Sequence, residues 1–164
     1  MAKFGHDHIV ASRDVQGYLL LGGDGSCRGD FYAALSQLIV DDPVLRDQAN
    51  LITTPTEKDI TATKTNMLIS LQAAEFPFVQ LRSLDCSGAM DGQPVPARIG
   101  LHGVTQEQQL TMTVTQSNAD AITISGSFEI LQTDFGIEPF SVFNGLLKVQ
   151  DRLEISYQLV ARKQ

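Results

Sequence analysis

The sequence predicts a mostly β chain, folded as a closed antiparallel barrel of about eight strands with one main helix covering an end. Three observations carry that prediction. Apolar and polar residues alternate with period two along most of the chain, the pattern of strands with one buried and one wet face. Only one stretch carries a full set of helix signals. The strands are many and short, and closure is the arrangement that hides their edges.

In chain order, residues 8–12 and 17–21 read as a hairpin about the polar Arg13-Asp-Val-Gln16. Gly22-Gly-Asp-Gly25 is loose for a strand and marks a bulge or an opened barrel wall. It precedes no helix and no Lys-Ser/Thr, so it is not a phosphate-binding loop. Residues 31–40 read as a long strand. It stops at Asp41-Asp42-Pro43, because Pro43 has no N–H to donate and biases Asp42 away from the helical region. A weak helical turn lies around 43–48. The main helix is expected near 56–66. Thr56 is its N-cap, Glu57 and Asp59 sit in the first turn where the helix dipole favours acids, and Ile60, Thr63 and Met67 share a face.

Pro77 leads into a strand over 78–86. Residues 88–96, with two Gly and two Pro, read as a loop, and 98–104 as a short strand. Residues 110–115 and 121–130 form a hairpin about the polar 116–120. In its second arm Ile122, Ile124, Gly126, Phe128 and Ile130 point inward, while Thr123, Ser125, Ser127 and Glu129 point outward. The last strand alternates Leu153, Ile155, Tyr157 and Leu159 with Glu154, Ser156 and Gln158.

The 164 residues suit a single domain spanning 1–164. With 43% hydrophobic and 19% charged residues the chain is not disordered. Twelve basic against nineteen acidic residues give a net charge of −7, which repels nucleic-acid phosphates and anionic lipid head groups. No run approaches the ~18 apolar residues of a membrane span. The N-terminus has no apolar signal core, so the protein stays in the cytoplasm or the chain begins after a removed segment. Cys27 and Cys86 fit neither a metal spacing nor a redox motif. Two separate thiols are the favoured reading over one disulfide, which requires Cα atoms within about 7 Å.

Among polar groups, His6, Asp7 and His8 form the sharpest cluster. His6 and His8 share a strand face and with His102 could bind a divalent metal. The plainer role is barrel-end hydrogen bonding, or a grip on the polar head of a ligand. Asp41 and Asp42 are adjacent and point oppositely on a strand, so they make no proton-sharing dyad. Asp42 reads as a turn residue, Arg46 as the ion-pair partner of one of the two, and Asp134 and Asp151 as turn chemistry. No nucleophile motif is present, so neither catalysis nor a cofactor is expected. Phe135, Phe140 and Phe143 fall in a Gly- and Pro-containing connection, where they cap the core or line the mouth of a tunnel.

The run Leu131-Gln-Thr-Asp-Phe-Gly-Ile-Glu-Pro-Phe-Ser141, followed by Gly145-Leu-Leu-Lys-Val-Gln-Asp151, resembles the C-terminal signature of the YceI-like family of lipocalin-like polyisoprenoid-binding proteins. Gly5-His-Asp-His8, Leu38-Ile-Val-Asp-Asp-Pro43 with Arg46, and Met67 with Glu75-Phe-Pro77 resemble earlier segments of that family in the expected order. The resemblance implies a lipocalin-like barrel that carries or sequesters an elongated apolar ligand without catalysis. An isoprenoid quinone, a polyprenol or a fatty-acyl lipid would fit, each buried methylene contributing ~0.8 kcal/mol. Phe128 and Ile130 are then expected along the ligand, Phe135, Phe140 and Phe143 at the mouth, and His6 and His8 at its polar head. The resemblance also leans towards a periplasmic location, if a signal peptide was removed. Family members usually carry a first strand before the Gly-His-Asp-His segment, and here only residues 1–4 precede it. The strand edge so exposed suggests a possible homodimer. Two alternatives stand beside this reading: a metal-binding protein or metal-dependent enzyme using His6, His8 and His102, and an interaction module whose barrel is filled by its own side chains.

Overall fold

The computed structural model describes residues 7–142, 144 and 146–163. Its strands are β1 (Val10–Ala11), β2 (Val15–Leu21), β3 (Cys27–Ala34), β4 (Ile39–Val40), β5 (Phe78–Ser83), β6 (Val95–Leu101), β7 (Val104–Leu110), β8 (Met112–Asn118), β9 (Ala121–Leu131), β10 (Ser141–Val142), β11 (Leu147–Lys148) and β12 (Arg152–Arg162). Two helices, α1 (Pro43–Gln48) and α2 (Glu57–Ser70), lie between β4 and β5. The mostly β, antiparallel class holds, but the closed barrel does not. Two main sheets, β2-β3-β5-β6-β7 and β12-β9-β8, face each other across one interior, with small pairs β1-β4 and β10-β11 beside them.

The division has a local cause. Only Thr111 separates β7 from β8, yet β7 pairs with β6 and β8 with β9. One run of chain therefore leaves the first sheet and joins the second. Where the ladders part, side chains take over. Gln106 donates its amide to the Asp134 carbonyl (2.6 Å) and Gln108 to the Glu129 carbonyl (3.3 Å). On the opposite side β2 and β12 are the end strands of their sheets, and no ladder joins them among the described residues.

The N-terminal strands pair differently from expectation. β1 pairs with β4, and β2 with β3, so there is no hairpin of 8–12 with 17–21. The 22–26 segment is the tip of the β2–β3 hairpin, closed by Gly22 N–H to Ser26 O and Gly25 N–H to Gly22 O, rather than a bulge. The expected strand over 31–40 is broken by a 3-10 turn at Leu35–Gln37, which drives Leu35 into the core. That apolar gain outweighs the few ladder bonds given up.

β5 is shorter than expected and is followed by a 3-10 turn at Ser87–Asp91. The expected strand over 98–104 is instead two strands, β6 and β7. They meet at a two-residue turn, His102-Gly103, with φ of 53° and 73° and Leu101 opposite Val104, the primed geometry that suits a twisted hairpin. α1 forms where the weak turn was read. α2 opens with a capping box: Thr56 Oγ1 accepts from Asp59 N–H, and Asp59 accepts from Thr56 N–H.

The interior is packed at its two ends. At one end Leu35, Ile99, Leu101, Ile130, Phe135 and Ile137 form a buried cluster, covered by Leu68 and Leu71 at the end of α2. The other end holds Cys27, Cys86, Ala89 and Val95. Cys27 and Cys86 are joined in a disulfide with Cα atoms 4.8 Å apart, which corrects the reading of two separate thiols. The chain beyond β5 folds back so that Cys86 N–H donates to Cys27 O (3.1 Å), a proximity invisible at a sequence separation of 59. The accessible surface is 11088 Å², against about 8,000 Å² for a compact chain of this mass. α2 is seated shallowly and buries no residue fully.

Candidate functional site

Between the two packed ends the interior is hollow. Small residues that strand register sets side by side form part of its wall. Gly29 on β3 stands opposite Ser83 on β5, and Ser83 opposite Ala97 on β6. In the other sheet Gly126 on β9 lies between Met112 and Tyr157. The cavity has a volume of about 360 Å³, within the roughly 300–1,000 Å³ of small-molecule sites. Leu19, Phe31 and Leu81 line it from one sheet, Val114, Ile124 and Leu159 from the other. Ala89 and Met90 close one side on the 3-10 turn that the disulfide ties to β3.

The polar residues along the walls are Ser83, Gln116 and Tyr157, and no acidic, basic or histidine side chain lines the cavity among the described residues. Ser83 Oγ and Tyr157 Oη are buried and have no hydrogen-bond partner among those residues. The Tyr157 ring lies across the bare backbone of Gly126, where a Cβ would come within 2.6 Å of the phenolic oxygen. Burial raises the Tyr157 pKa above its ordinary value, so the hydroxyl stays protonated at neutral pH and can donate.

The residues expected at a ligand lie mostly elsewhere. Ile130 and Phe135 are in the packed end of the core. Phe128 packs against that cluster and tilts towards Tyr157, ring centroids 6.2 Å apart. Phe140 is on the surface at 36% exposure. His6 and Phe143 lie outside the described residues. The alternation in β9 and β12 did identify Ile124, Gly126 and Tyr157 as inward. The row Gly29-Ser83-Ala97 carries no local signal, because it exists only once three strands are in register.

His8 sits away from the cavity walls, at the exposed rim of an ionic knot whose Asp41 and Arg46 are buried. Its Nδ1 lies 2.6 Å from Asp41 Oδ2, Ile9 N–H donates to Asp41 Oδ1 (3.1 Å), and Arg46 Nη1 donates to the same carboxylate at 2.5 Å. Burial pushes the Asp41 carboxyl up, but these bonds from His8, Ile9 and Arg46 together outweigh it and hold it below the usual range. Asp42 caps α1 through Val44 and Leu45 N–H, as a turn residue before Pro43 should. His102 Nδ1 is 2.9 Å from the Phe135 carbonyl. Among the described residues no three His, Cys, Asp or Glu side chains gather as a metal site. Asp151 fastens the 3-10 turn at Gln132–Phe135 from 18 residues away, accepting from Thr133 N–H (2.9 Å) and Thr133 Oγ1 (2.7 Å), a bond between distant segments rather than the local turn chemistry expected of it.

A family model, described as a YceI-like domain, matches residues 25–161. No curated protein matches the sequence significantly. Among solved structures, Burkholderia cenocepacia BcnA shares the fold at a TM-score of 0.64 and 15% identity, over 93% of this chain and 86% of that one. A polyisoprenoid binding domain from Saccharophagus degradans, implicated in plant cell wall breakdown, aligns at 0.62 and 12% identity, over 96% and 92% of the two chains. The Campylobacter jejuni YceI protein aligns at 0.60 and 10% identity, over 100% and 93%. At these identities the likeness is one of fold.

Proposed function

The chain belongs to the YceI-like family, and from that premise we propose that it binds an elongated apolar molecule, such as an isoprenoid quinone, a polyprenol or a fatty-acyl lipid, and carries or sequesters it without catalysis. The observation that carries this reading is the cavity of about 360 Å³ between the sheets, with walls of Leu, Ile, Val, Phe and Met. A void of that size forfeits dispersion contacts along its whole lining, and an apolar guest restores them. Leu19 and Leu21 of β2 and Tyr157 and Leu159 of β12 line one side. These are end strands that no ladder joins among the described residues, so a chain longer than the cavity has a route out between them. The fold shared with the Saccharophagus degradans domain supports the same ligand class.

The metal alternative draws no support from His8 and His102, which are held by Asp41 and by the Phe135 carbonyl. The self-filled alternative conflicts with the hollow interior. The Cys27–Cys86 bond favours an oxidising compartment such as the periplasm. A homodimer through β2 belongs to the same proposal. That strand ends its sheet and exposes Tyr18 and Leu20, and pairing two such edges would cover both. Sedimentation at micromolar concentration should then show a particle of twice the chain mass, and a monomer alone would remove the dimer.

Native mass spectrometry after gentle purification tests the main reading. A retained lipid-sized mass is expected, together with displacement of a fluorescent apolar probe by a polyprenol. A protein that retains nothing and binds neither probe nor polyprenol would be a self-contained module instead.

A further inference from the structure

Two buried hydroxyls in an otherwise apolar chamber narrow the ligand class. Ser83 projects from the five-stranded sheet and Tyr157 from the three-stranded one, and both line the same cavity. Neither oxygen has a hydrogen-bond partner among the described residues. Leaving a hydroxyl buried and unpaired costs stability, so two in one cavity are unfavourable unless a guest satisfies them. Phenylalanine and alanine would fill these places without that cost. Gly126 adds a second sign that the phenol is placed rather than tolerated, since any side chain there would collide with the Tyr157 oxygen.

Resting on the apolar-binding reading above, we infer that the natural ligand carries uncharged oxygen of the carbonyl type within its apolar frame, and that the hydroxyls of Tyr157 and Ser83 are the groups that bind it. Both can donate to such an oxygen. An anionic head is not what this chamber is built for. No lysine, arginine or histidine lines it among the described residues, and an unpaired carboxylate or phosphate would be desolvated without compensation. A plain hydrocarbon would fill the space and leave both hydroxyls unpaired.

The test compares three molecules on one carbon skeleton: geranylacetone (a terpenoid ketone), the hydrocarbon lacking its oxygen, and the corresponding carboxylic acid. Each displaces a fluorescent apolar probe from the full chain and from the Tyr157→Phe, Ser83→Ala and double variants. Removing an unpaired buried hydroxyl should not unfold the protein, and Tyr157→Phe keeps the ring over Gly126 even if the double variant fails. The expected result is a selective loss. Ketone affinity falls about tenfold in the double variant, the worth of about one to two net hydrogen bonds. Hydrocarbon affinity stays within twofold of the parent, and the acid binds the parent more weakly than the ketone. Equal effects on ketone and hydrocarbon, no effect on either, or tight acid binding that depends on the two hydroxyls would each overturn the inference while leaving apolar binding intact. A parent that binds none of the three would remove both readings together.

Discussion

Arg46 makes a bond with each of its five N–H groups. Nε and Nη2 donate to the Thr53 carbonyl, Nη2 also to Thr53 Oγ1, and Nη1 to the Asp7 carbonyl and to Asp41. With its guanidinium saturated and the Asp41 side chain fully buried, this knot ties the N-terminal segment to β4, α1 and the loop before α2. It is structural rather than catalytic. Asp41→Asn would leave a buried cation without its counter-charge, and should cost about 3–5 kcal/mol at neutral pH. The pH dependence follows from the sign of the shift. The Asp41 carboxyl is held below its usual value, so its contribution is present above the unfolded-state pKa of about 3.9 and is lost as pH falls through the lower folded value. Urea unfolding of parent and variant should therefore converge in acid, and a stability gap as wide at about pH 3 as at pH 7 would contradict this account. The Asp42 cap, the Thr56 cap and the Arg46 ion pair were legible because each rests on residues a few positions apart. The choice of Asp41 over Asp42 for the buried place was not. It depends on the left-handed φ of 55° at Asp41, which turns one carboxylate inward and frees the next for α1.

At the scale of elements, the clearest difference between expectation and structure is where α2 stops. The spacing of Ile60, Thr63 and Met67 suggested an end near 66, but the helix runs to Ser70. It closes in a Schellman arrangement, with Gln72 N–H to Ile69 O and Ala73 N–H to Leu68 O, both 2.9 Å. Glycine is the usual residue at the left-handed position of that motif. Here it is Gln72, at φ 46°, so the stop carries no sequence marker. Gln72→Gly should relieve the strain and stabilise the fold by about 1 kcal/mol, visible as a higher thermal midpoint. An unchanged or lower midpoint would mean that the left-handed turn costs nothing here. β7 escaped notice for another reason: its inward positions include Gln106 and Gln108, which blur the alternation because they are spent on bridging the two sheets. The disulfide was equally hidden. It ties β3 to the 3-10 turn after β5, and replacing Cys27 and Cys86 together by Ser should lower stability by about 2–4 kcal/mol in denaturant titrations. A loss below ~1 kcal/mol would show that the strand ladder alone holds that turn.

Over the whole molecule, alternation was enough to read a mostly β antiparallel protein, yet not how its strands distribute between sheets or where its interior is empty. Those properties belong to register. Phe128 and Ile130 looked like tunnel walls because they alternate inward. The structure puts Ile130 in the filled end, and the hollow lies beside Gly29, Ser83, Ala97 and Tyr157. A pair of enlargements separates packing from binding. Ile130→Trp forces extra volume into a cluster that has no room, and should destabilise the protein by about 1–3 kcal/mol. Its effect on ligand should be indirect, since Ile130 does not line the cavity. Ala97→Leu enlarges a side chain that is 2% exposed and lines the cavity from β6 of the five-stranded sheet. The added carbons enter empty space, so apolar burial offsets most of the strain, and stability should stay within about 1 kcal/mol of the parent. The same carbons occupy the place of the guest, and affinity for an apolar ligand should drop at least about tenfold, the equivalent of two lost methylene contacts. Exchanging the outward Glu154 for Lys should leave binding unchanged, because that side chain lies on the far face of β12. Thermal melting and probe displacement on the three variants decide the matter. If Ala97→Leu stays folded and binds as well as the parent while Ile130→Trp abolishes binding without loss of stability, the guest lies in the Phe128–Ile130 region after all and the hollow between the sheets is not its seat.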